Sequence, residues 1–454
     1  MLGIGQFWPL SPRSAAIWLP TAHRINTFGL CIVAEDHLSA NDRPSYRTVL
    51  AKRNFDLLLG GRGFSDLGDY FGNTALSWLV YGVTSSVFSL ALTWVVFMLP
   101  RAAIRLYAGV YVDKWNRRSI MLGTESTRAV LFLIIGAAVL YKMPSPIMIY
   151  VIAASVGGLG AFFDLASDAL LPAVVEKGEL LTANALFQSV FQGNSIIGPG
   201  LAGLAIYAFG TGVPFLIDSV SFAVLVVALL MVRLPTVPLI EARPPWREQF
   251  MAGFRYFKGR AELVMISLLT SGINFGLGAF WYIYVLVLAK DVLKAGPIGY
   301  SLFAAVSSAG YLLGTLYLAR RGKLARRRLA VVASLFVSAA GVSLVAGAGN
   351  LGEALIPTAV FGLALPFFDI VGTTYYQETV PKDMLGRALG FRRFIDFITA
   401  PVSVVFGAFA VSLVGVTDGI LISGIVMLGC AFASVGARSL KRLDQTGPVQ
   451  TVTV

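Results

Sequence analysis

Ala161-Phe162-Phe163-Asp164 returns 205 residues later as Pro366-Phe367-Phe368-Asp369. The same offset carries Gly109 onto Gly314 and Gly157 onto Gly362. Gly109 and Gly314 each open a basic, hydrophilic break between apolar runs. One offset shared by separated landmarks marks an internal duplication. In a chain this apolar, the duplication implies an all-α membrane protein of two helical bundles that move about a shared axis.

Composition narrows the class. The 454 residues are 56% hydrophobic and 13% charged, with a mean hydropathy of +0.75. A soluble fold of that size has too few polar side chains to cover so much apolar surface, so part of its solvent is lipid. The net charge of +12 resides in short breaks between apolar runs and forms no single basic face, which speaks against a nucleic-acid partner. Cys31 and Cys430 are the only cysteines, too few for a disulfide framework or a cysteine metal site. His23 and His37 are the only histidines, and both precede the first apolar run. That excludes a histidine proton relay, a histidine metal site and a Ser-His-Asp triad within the membrane.

About 20 apolar residues cross a hydrocarbon core. By that measure there are twelve spans: 55–82, 86–108, 119–141, 147–170, 183–209, 212–233, 263–289, 297–319, 328–348, 353–377, 388–414 and 417–437. Alternate breaks hold almost all of the Lys and Arg; the intervening ones hold only Lys142, Lys290 and Lys294. Cytoplasmic loops keep positive charge, which places the basic breaks and both termini in the cytoplasm. The expected organisation is a poorly structured extension 1–53, a six-helix bundle 54–233, a linker 234–262, a second bundle 263–437 and a tail 438–454. Within the linker, Trp246, Phe250, Phe254 and Phe257 share one helical face, which suits an amphipathic helix at the cytoplasmic surface or a plain solvated connection. No Met lies between Met1 and Met98, which raises a translation start near Val49 as one expectation.

Four groups of residues carry candidate chemistry. Gly109, Asp113, Lys114, Arg117 and Arg118 follow the second span. Glycine lets helices approach closely, and the charged residues suit capping and pairing at the cytoplasmic side. Asp164 and Asp168 close the fourth span one turn apart, on one face, with Asp369 at the matching place in the tenth. They form either a gate paired to Arg117 or Arg118 when the cavity faces outward, or simple helix-end carboxylates. The first span carries Arg62, Asp66 and Asp69. At ~1.5 Å per residue from Asn54, Asp66 lies roughly 18 Å along, near mid-membrane, where an ionisable side chain marks a pathway by default. Asp69 is the preferred proton carrier, because Arg62 is placed to pair with Asp66; a static Arg62–Asp66 pair is the alternative. Fourth, the fifth span holds Asn194, Gly198, Pro199, Ala202 and Gly203, a bend-and-slide pattern of proline among small residues.

The break Gly109-Val-Tyr-Val-Asp113-Lys114-Trp-Asn-Arg117-Arg118 resembles the signature of the major facilitator superfamily. Asn194 to Gly203 resembles the antiporter signature of its drug exporters, with Asn194 and Ala202 where glycines are expected. Arg53-Asn54-Phe55, Pro100-Arg101, Ala161 to Asp164, Leu171-Pro172 and Ala183 to Leu186 are most similar to the branch of the enterobactin exporter and the macrolide and tetracycline efflux proteins. The resemblance covers about 54–440 and implies twelve helices in two pseudosymmetric bundles that rock about a central cavity. The second copy has Leu318 where the signature Asp would stand. The arginine expected in the fourth helix of many drug exporters is missing, and Arg128 in the third is the candidate substitute.

In that fold the first, fourth, seventh and tenth helices line the cavity. Here they offer Tyr70, Asn73, Asn274, Trp281, Tyr282, Asp369 and Tyr375, a set suited to a large amphipathic ligand. The resemblance implies a monomeric, multi-pass protein of the bacterial inner membrane and not an enzyme. Proton antiport would export a drug, antibiotic or siderophore-like metabolite by alternating access. The proton gradient would supply the energy, with no cofactor and no metal, and the partners are a small-molecule substrate and the bilayer. The alternatives are a lipid or lysolipid flippase of the same fold and a non-transporting membrane sensor.

Overall fold

The computed structural model describes residues 46–112, 115–232, 248, 251, 254–257, 259–321 and 324–445. Among them there is no strand. The first half forms α1 (Arg53–Thr84), α2 (Val87–Val112), α3 (Arg117–Leu140), α4 (Pro146–Val174), α5 (Leu180–Phe209) and α6 (Gly212–Met231). The second forms α7 (Ala261–Val292), α8 (Gly296–Arg321), α9 (Arg327–Ala346), α10 (Leu351–Thr379) and α11 (Lys382–Gly436).

Local chemistry sets these ends. Asn116 starts α3 by accepting the Ser119 N–H at 3.2 Å, and Asn350 starts α10 by accepting the Glu353 N–H at 3.0 Å. Pro146 follows Ser145 into α4, where its missing N–H costs nothing. Gly210 stops α5 at φ 78°. Gly415 adopts φ 86° and ψ 170° inside α11, dividing it into two arms. Arg118 donates to the carbonyls of Leu229 and Leu230 at 2.9 and 2.8 Å, placing positive charge at the C-terminal end of α6.

Among the described residues, nine helices are long and apolar enough to cross a membrane, with α11 counted once. Helix α1 falls short because Arg62, Asp66 and Asp69 interrupt it, and α5 because Gln188, Gln192, Asn194 and Ser195 dilute its apolar residues. In the first half α2 packs on α4, α4 on α3, α3 on α6 and α6 on α1. In the second half α8 packs on α10, α10 on α9, and both α9 and α7 on α11. The halves meet where α5 packs on α8 and α2 on α11.

Residues 46–53 differ from the expected loose extension. The short helix Tyr46–Leu50 buries Val49 in a cluster with Phe55, Leu59, Val175 and Ala183. Lys52 reaches Glu176 at 2.8 Å and Glu179 at 2.5 Å. An apolar side chain with a place to pack and a lysine between two carboxylates hold this end down. Residues 1–45 and most of the linker lie outside the described residues, as do Trp246 and Phe250 of the expected amphipathic helix. Phe257 is buried with its ring 6.0 Å from that of Tyr376. In the tail, Leu440 and Leu443 are buried, and Arg442 pairs with Glu262 at 2.8 Å.

Two expectations follow. A Cβ at Gly157 would land on the carbonyl of Phe97, whereas one at Gly60 meets nothing within 4 Å. Gly157→Ala should therefore lower the melting temperature in detergent, since overpacking costs about 1–3 kcal/mol and helix propensity returns only about 1 kcal/mol. Gly60→Ala should leave it unchanged or raise it.

The second concerns pH. Hydrogen bonding from Lys52 holds Glu179 below its ordinary range, and Glu176 and Glu179 raise Lys52 above its own. The depressed Glu179 adds stability above the unfolded carboxylate pKa, and this fades as pH falls through the folded value. The raised Lys52 adds stability below the unfolded lysine pKa, and this fades as pH rises through the folded value. Lys52→Met should thus lower the melting temperature across the pH range between those two edges and converge on the parent beyond them, by a small amount because Lys52 keeps access to solvent.

Candidate functional site

The charges that matter most lie between α1, α3 and α6. Arg128 of α3 pairs with Asp69 of α1 at 2.5 Å and with Glu125, one turn before it, at 2.9 Å. Its guanidinium also sits 4.1 Å from the centre of the Phe222 ring of α6. Ser65 of α1 donates to Glu125 at 3.4 Å. Asp218 of α6 is within electrostatic reach of Arg128, Asp69 and Glu125. Its carboxyl takes a Ser221 hydroxyl at 3.1 Å on one oxygen, while the other has no hydrogen-bond partner among the described groups. Glu125 and Asp218 are 0% exposed and Arg128 6%. Gly68 and Gly72 make room: a Cβ at either would collide with Asp218. One guanidinium therefore faces three carboxyls, two of them sealed from water and Asp69 33% exposed, and binding a proton relieves the excess of negative charge.

Asp69 and Arg128 were legible as candidates. Glu125 and Asp218 were not singled out, although each is an ionisable residue inside an apolar run, which is itself a functional signal. The positions 205 residues after Asp69, Glu125, Arg128 and Asp218 are Asn274, Ala330, Ala333 and Ser423. The charged cluster thus has no charged copy at that offset.

A second group lies beside it. Arg62 is 3.9 Å from Asp66 and 3.8 Å from Asp168, donates to Ser167, and stacks over Phe163 and Phe187 at 5.7 and 5.6 Å. Asp66 senses the charges of Asp69, Asp164 and Arg128. Asp164 takes hydrogen bonds from Arg101 and Arg105 of α2, both at 2.6 Å. Its counterpart Asp369 takes the Tyr311 hydroxyl at 3.0 Å and lies 3.5 Å from Arg392. Gly109 lies in α2; Asp113 and Lys114 lie outside the described residues.

The small-residue face of α5 joins both halves. Asn194 donates to the Gly63 carbonyl at 2.7 Å, and a Cβ at Gly198 would strike the Tyr70 ring, so this stretch seats on α1. Pro199 is buried. Gly203 faces Ser301 and the Pro297 carbonyl of α8, across the boundary between halves. A cavity of about 290 Å³ spans that boundary, lined by Gln192 and Ser195 of α5, Trp281 of α7, and Ser307, Ser308 and Tyr311 of α8. Tyr282 packs against Trp94 of α2 with the ring centres 4.7 Å apart. Asn73 and Asn274 are half-buried, and Tyr375 is buried near Glu262, Arg260 and Glu378 rather than at this cavity. A groove of about 700 Å³ opens elsewhere, between α3 and α4, with Trp115, Thr127 and Phe162 on its walls.

The described contacts between halves gather at one end. Tyr81 donates to Asp291, and Lys290 sits over the Tyr81 and Trp78 rings at 4.7 and 5.8 Å. Trp78 meets Tyr300 at 6.1 Å and Phe88 meets Phe409 at 5.0 Å. At the opposite end the described ion pairs stay within their own half, as with Lys52–Glu179 and Arg327–Glu378. Among the described residues, no group of three or more His, Cys, Asp or Glu side chains is set to hold a metal.

The model of the Major Facilitator Superfamily matches residues 58–395. The chain belongs to that superfamily. Macrolide efflux protein A of Streptococcus pyogenes is 24% identical over 410 residues, covering 87% of this chain and 98% of that protein. Multidrug efflux pump Tap of Mycolicibacterium fortuitum is 22% identical over 383 residues, covering 82% and 92%. The crystal structure of nucleoside transporter NupG superposes with a TM-score of 0.63 at 16% identity, covering 84% of this chain and 98% of that one. The chain is thus a multi-pass membrane protein with the superfamily's fold, similar to efflux pumps, and family and fold point to a transporter rather than an enzyme.

Removing Arg128 leaves three carboxyls without their cation. Arg128→Met should cost about 3–5 kcal/mol, read as unfolding of the purified protein in detergent. Adding Asp69→Asn should recover part of that loss, since the two side chains share one interaction. A single variant as stable as the parent would show that the cluster does not hold α1, α3 and α6 together.

Proposed function

We propose that the chain is a secondary exporter that moves an amphipathic small molecule out of a bacterial cell in exchange for protons. The observation that carries this is the Asp69–Arg128 ion pair, 2.5 Å long, in the interior of the first half with Asp66 beside it. Protonation of Asp69 weakens its hold on Arg128, and with it the tie between α1 and α3. A proton can thereby change how the helices of this half pack, which is the coupling an antiporter needs. Glu125 and Asp218 keep Arg128 in place while Asp69 exchanges its proton.

Twelve spans in two repeats are the organisation we infer. Its supports are the division of α11 at Gly415, the matching helix pairings of the two halves and the 205-residue echo. Both termini and the basic loops face the cytoplasm, by the distribution of Lys and Arg. The latch of Tyr81, Asp291 and Lys290 then lies at the outer end, so this conformer is closed to the outside. Exchange proceeds by opening that end and closing the other, with α5 sliding at Gly203 against α8. Similarity to macrolide and multidrug efflux proteins favours a panel of amphipathic drugs of differing charge as the first substrates to try. The chain works as a monomer in the lipid bilayer, with the proton gradient in place of any cofactor.

Everted membrane vesicles with an acidified interior test this. Adding members of that panel in turn should, for at least one of them, release protons from vesicles that contain the parent chain, as followed with a pH-sensing dye. Asp69→Asn should abolish the release while the protein stays in the membrane at parental level. Equal proton release by the parent and Asp69→Asn would remove Asp69 from the coupling step.

A further inference from the structure

The twin arginines of α2 are not needed to build the fold. At the same 205-residue offset, Arg101 and Arg105 correspond to Val306 and Gly310. There α8 closes on α10 with no arginine, Gly310 lying against the backbone of Ala359 and Leu363. Asp164 and Asp369 occupy matching places, yet only Asp164 is held by two guanidiniums, both donating to its Oδ2 at 2.6 Å. The pair therefore calls for another explanation than helix packing.

Its surroundings supply one. Trp94, Phe97, Arg101 and Arg105 follow one another at three- and four-residue steps on one face of α2. Trp94 packs at a tilt against Tyr282 of α7, Phe97 packs edge-on to Trp94, and the Arg101 guanidinium lies 5.9 Å from the Phe97 ring. Arg101 is within electrostatic reach of both Asp69 and Tyr282. The arginines thus hang below an aromatic layer that joins the halves, on the inner side of the closed end. Their side chains stay 28% and 43% exposed, so neither is sealed into the helix packing. Each guanidinium has five N–H donors and spends one described bond on Asp164, leaving donors to spare on both.

We propose that Arg101 and Arg105 recognise an anionic oxygen group of the transported molecule, a carboxylate or a phosphate, with Asp164 as the resident competitor for the same donors. The substrate is then an amphipathic anion whose ring system rests against Trp94, Phe97 and Tyr282. Asp164 occupies the donors when the cavity is empty and yields them when the substrate arrives, so the arginines are never left without a counter-charge. This rests on the export reading for the word substrate, but the recognition chemistry stands apart from proton coupling.

Equilibrium binding to the purified full chain in nanodiscs, without any gradient, tests it. The probes are four naphthalene derivatives alike except in their polar group: naphthaleneacetate, naphthyl phosphate, naphthaleneacetamide and naphthylethylammonium. Quenching of tryptophan fluorescence reports binding at fixed ionic strength. At least one anion should bind tenfold or more tighter than the amide and the ammonium. Asp164→Asn should raise anion affinity several-fold, which a merely structural carboxylate would not do. The variant R101Q/R105Q/D164N, which removes all three charges together and leaves no unpaired ion, should bind the four probes alike. The proposal is overturned if the parent shows no preference for an anion, if Asp164→Asn weakens anion binding, or if the triple variant keeps the preference. Because no proton movement is measured, failure here leaves the antiport reading intact, and an unresponsive Asp69→Asn in vesicles leaves this one intact.

Discussion

A single guanidinium inside the first bundle must satisfy more negative charge than it carries. Arg128 binds Asp69 on one side and Glu125 on the other, while Asp218 presses in from α6 against Gly68 and Gly72. Water is kept from Glu125, Asp218 and Arg128, so their charges interact far more strongly than they would at a surface. The glycines on α1 exist in the fold because the carboxyl of α6 needs their space. The position of α3 follows from the same centre, through Arg128 and the Phe222 ring. Packing and charge thus constrain each other, and a change of protonation at one carboxyl is felt by three helices.

That centre gains meaning from asymmetry. Glycines at matching places let α2 approach α4 and α8 approach α10. Yet the ionisable residues stand mainly in the first half, with small or amide side chains 205 residues on. The interiors of the two halves differ: the first holds the charges described above, and Trp281, Ser307 and Tyr311 of the second line the cavity between α5, α7 and α8. The face of α5 that joins them is made of small residues, and Gly203 against Pro297 and Ser301 lets backbone approach backbone there.

Much of this was legible in the sequence because lipid imposes simple rules. Apolar runs such as 147–170 and 212–233 lie within helices Pro146–Val174 and Gly212–Met231 or overlap them to within a few residues, since a spanning segment must be apolar and helical at once. Between the expected spans 388–414 and 417–437 stands Gly415, whose positive φ divides α11. Arg128 was named as the candidate substitute for a missing arginine, and the structure sets it against Asp69. Less legible was which partner each charge would choose. Asp164 or Asp168 was expected to pair with Arg117 or Arg118 when the cavity faces outward; in this conformer Arg101 and Arg105 hold Asp164, and Arg118 caps α6. Periodicity shows which face of a helix a residue occupies, but not which neighbour that face will meet. Tyr375 illustrates the same limit: its helix was expected to line the cavity, but this residue is turned into the second bundle near Glu262.

The central claim is that Asp69 exchanges a proton within the Arg128 cluster. Infrared difference spectra of the purified protein, recorded between acid and neutral pH, test it most directly by following the carboxyl C=O stretch. The account predicts a protonated-carboxyl band that disappears on raising the pH in the parent and is missing from the Asp69→Asn difference spectrum. An identical carboxyl band in parent and variant would contradict it.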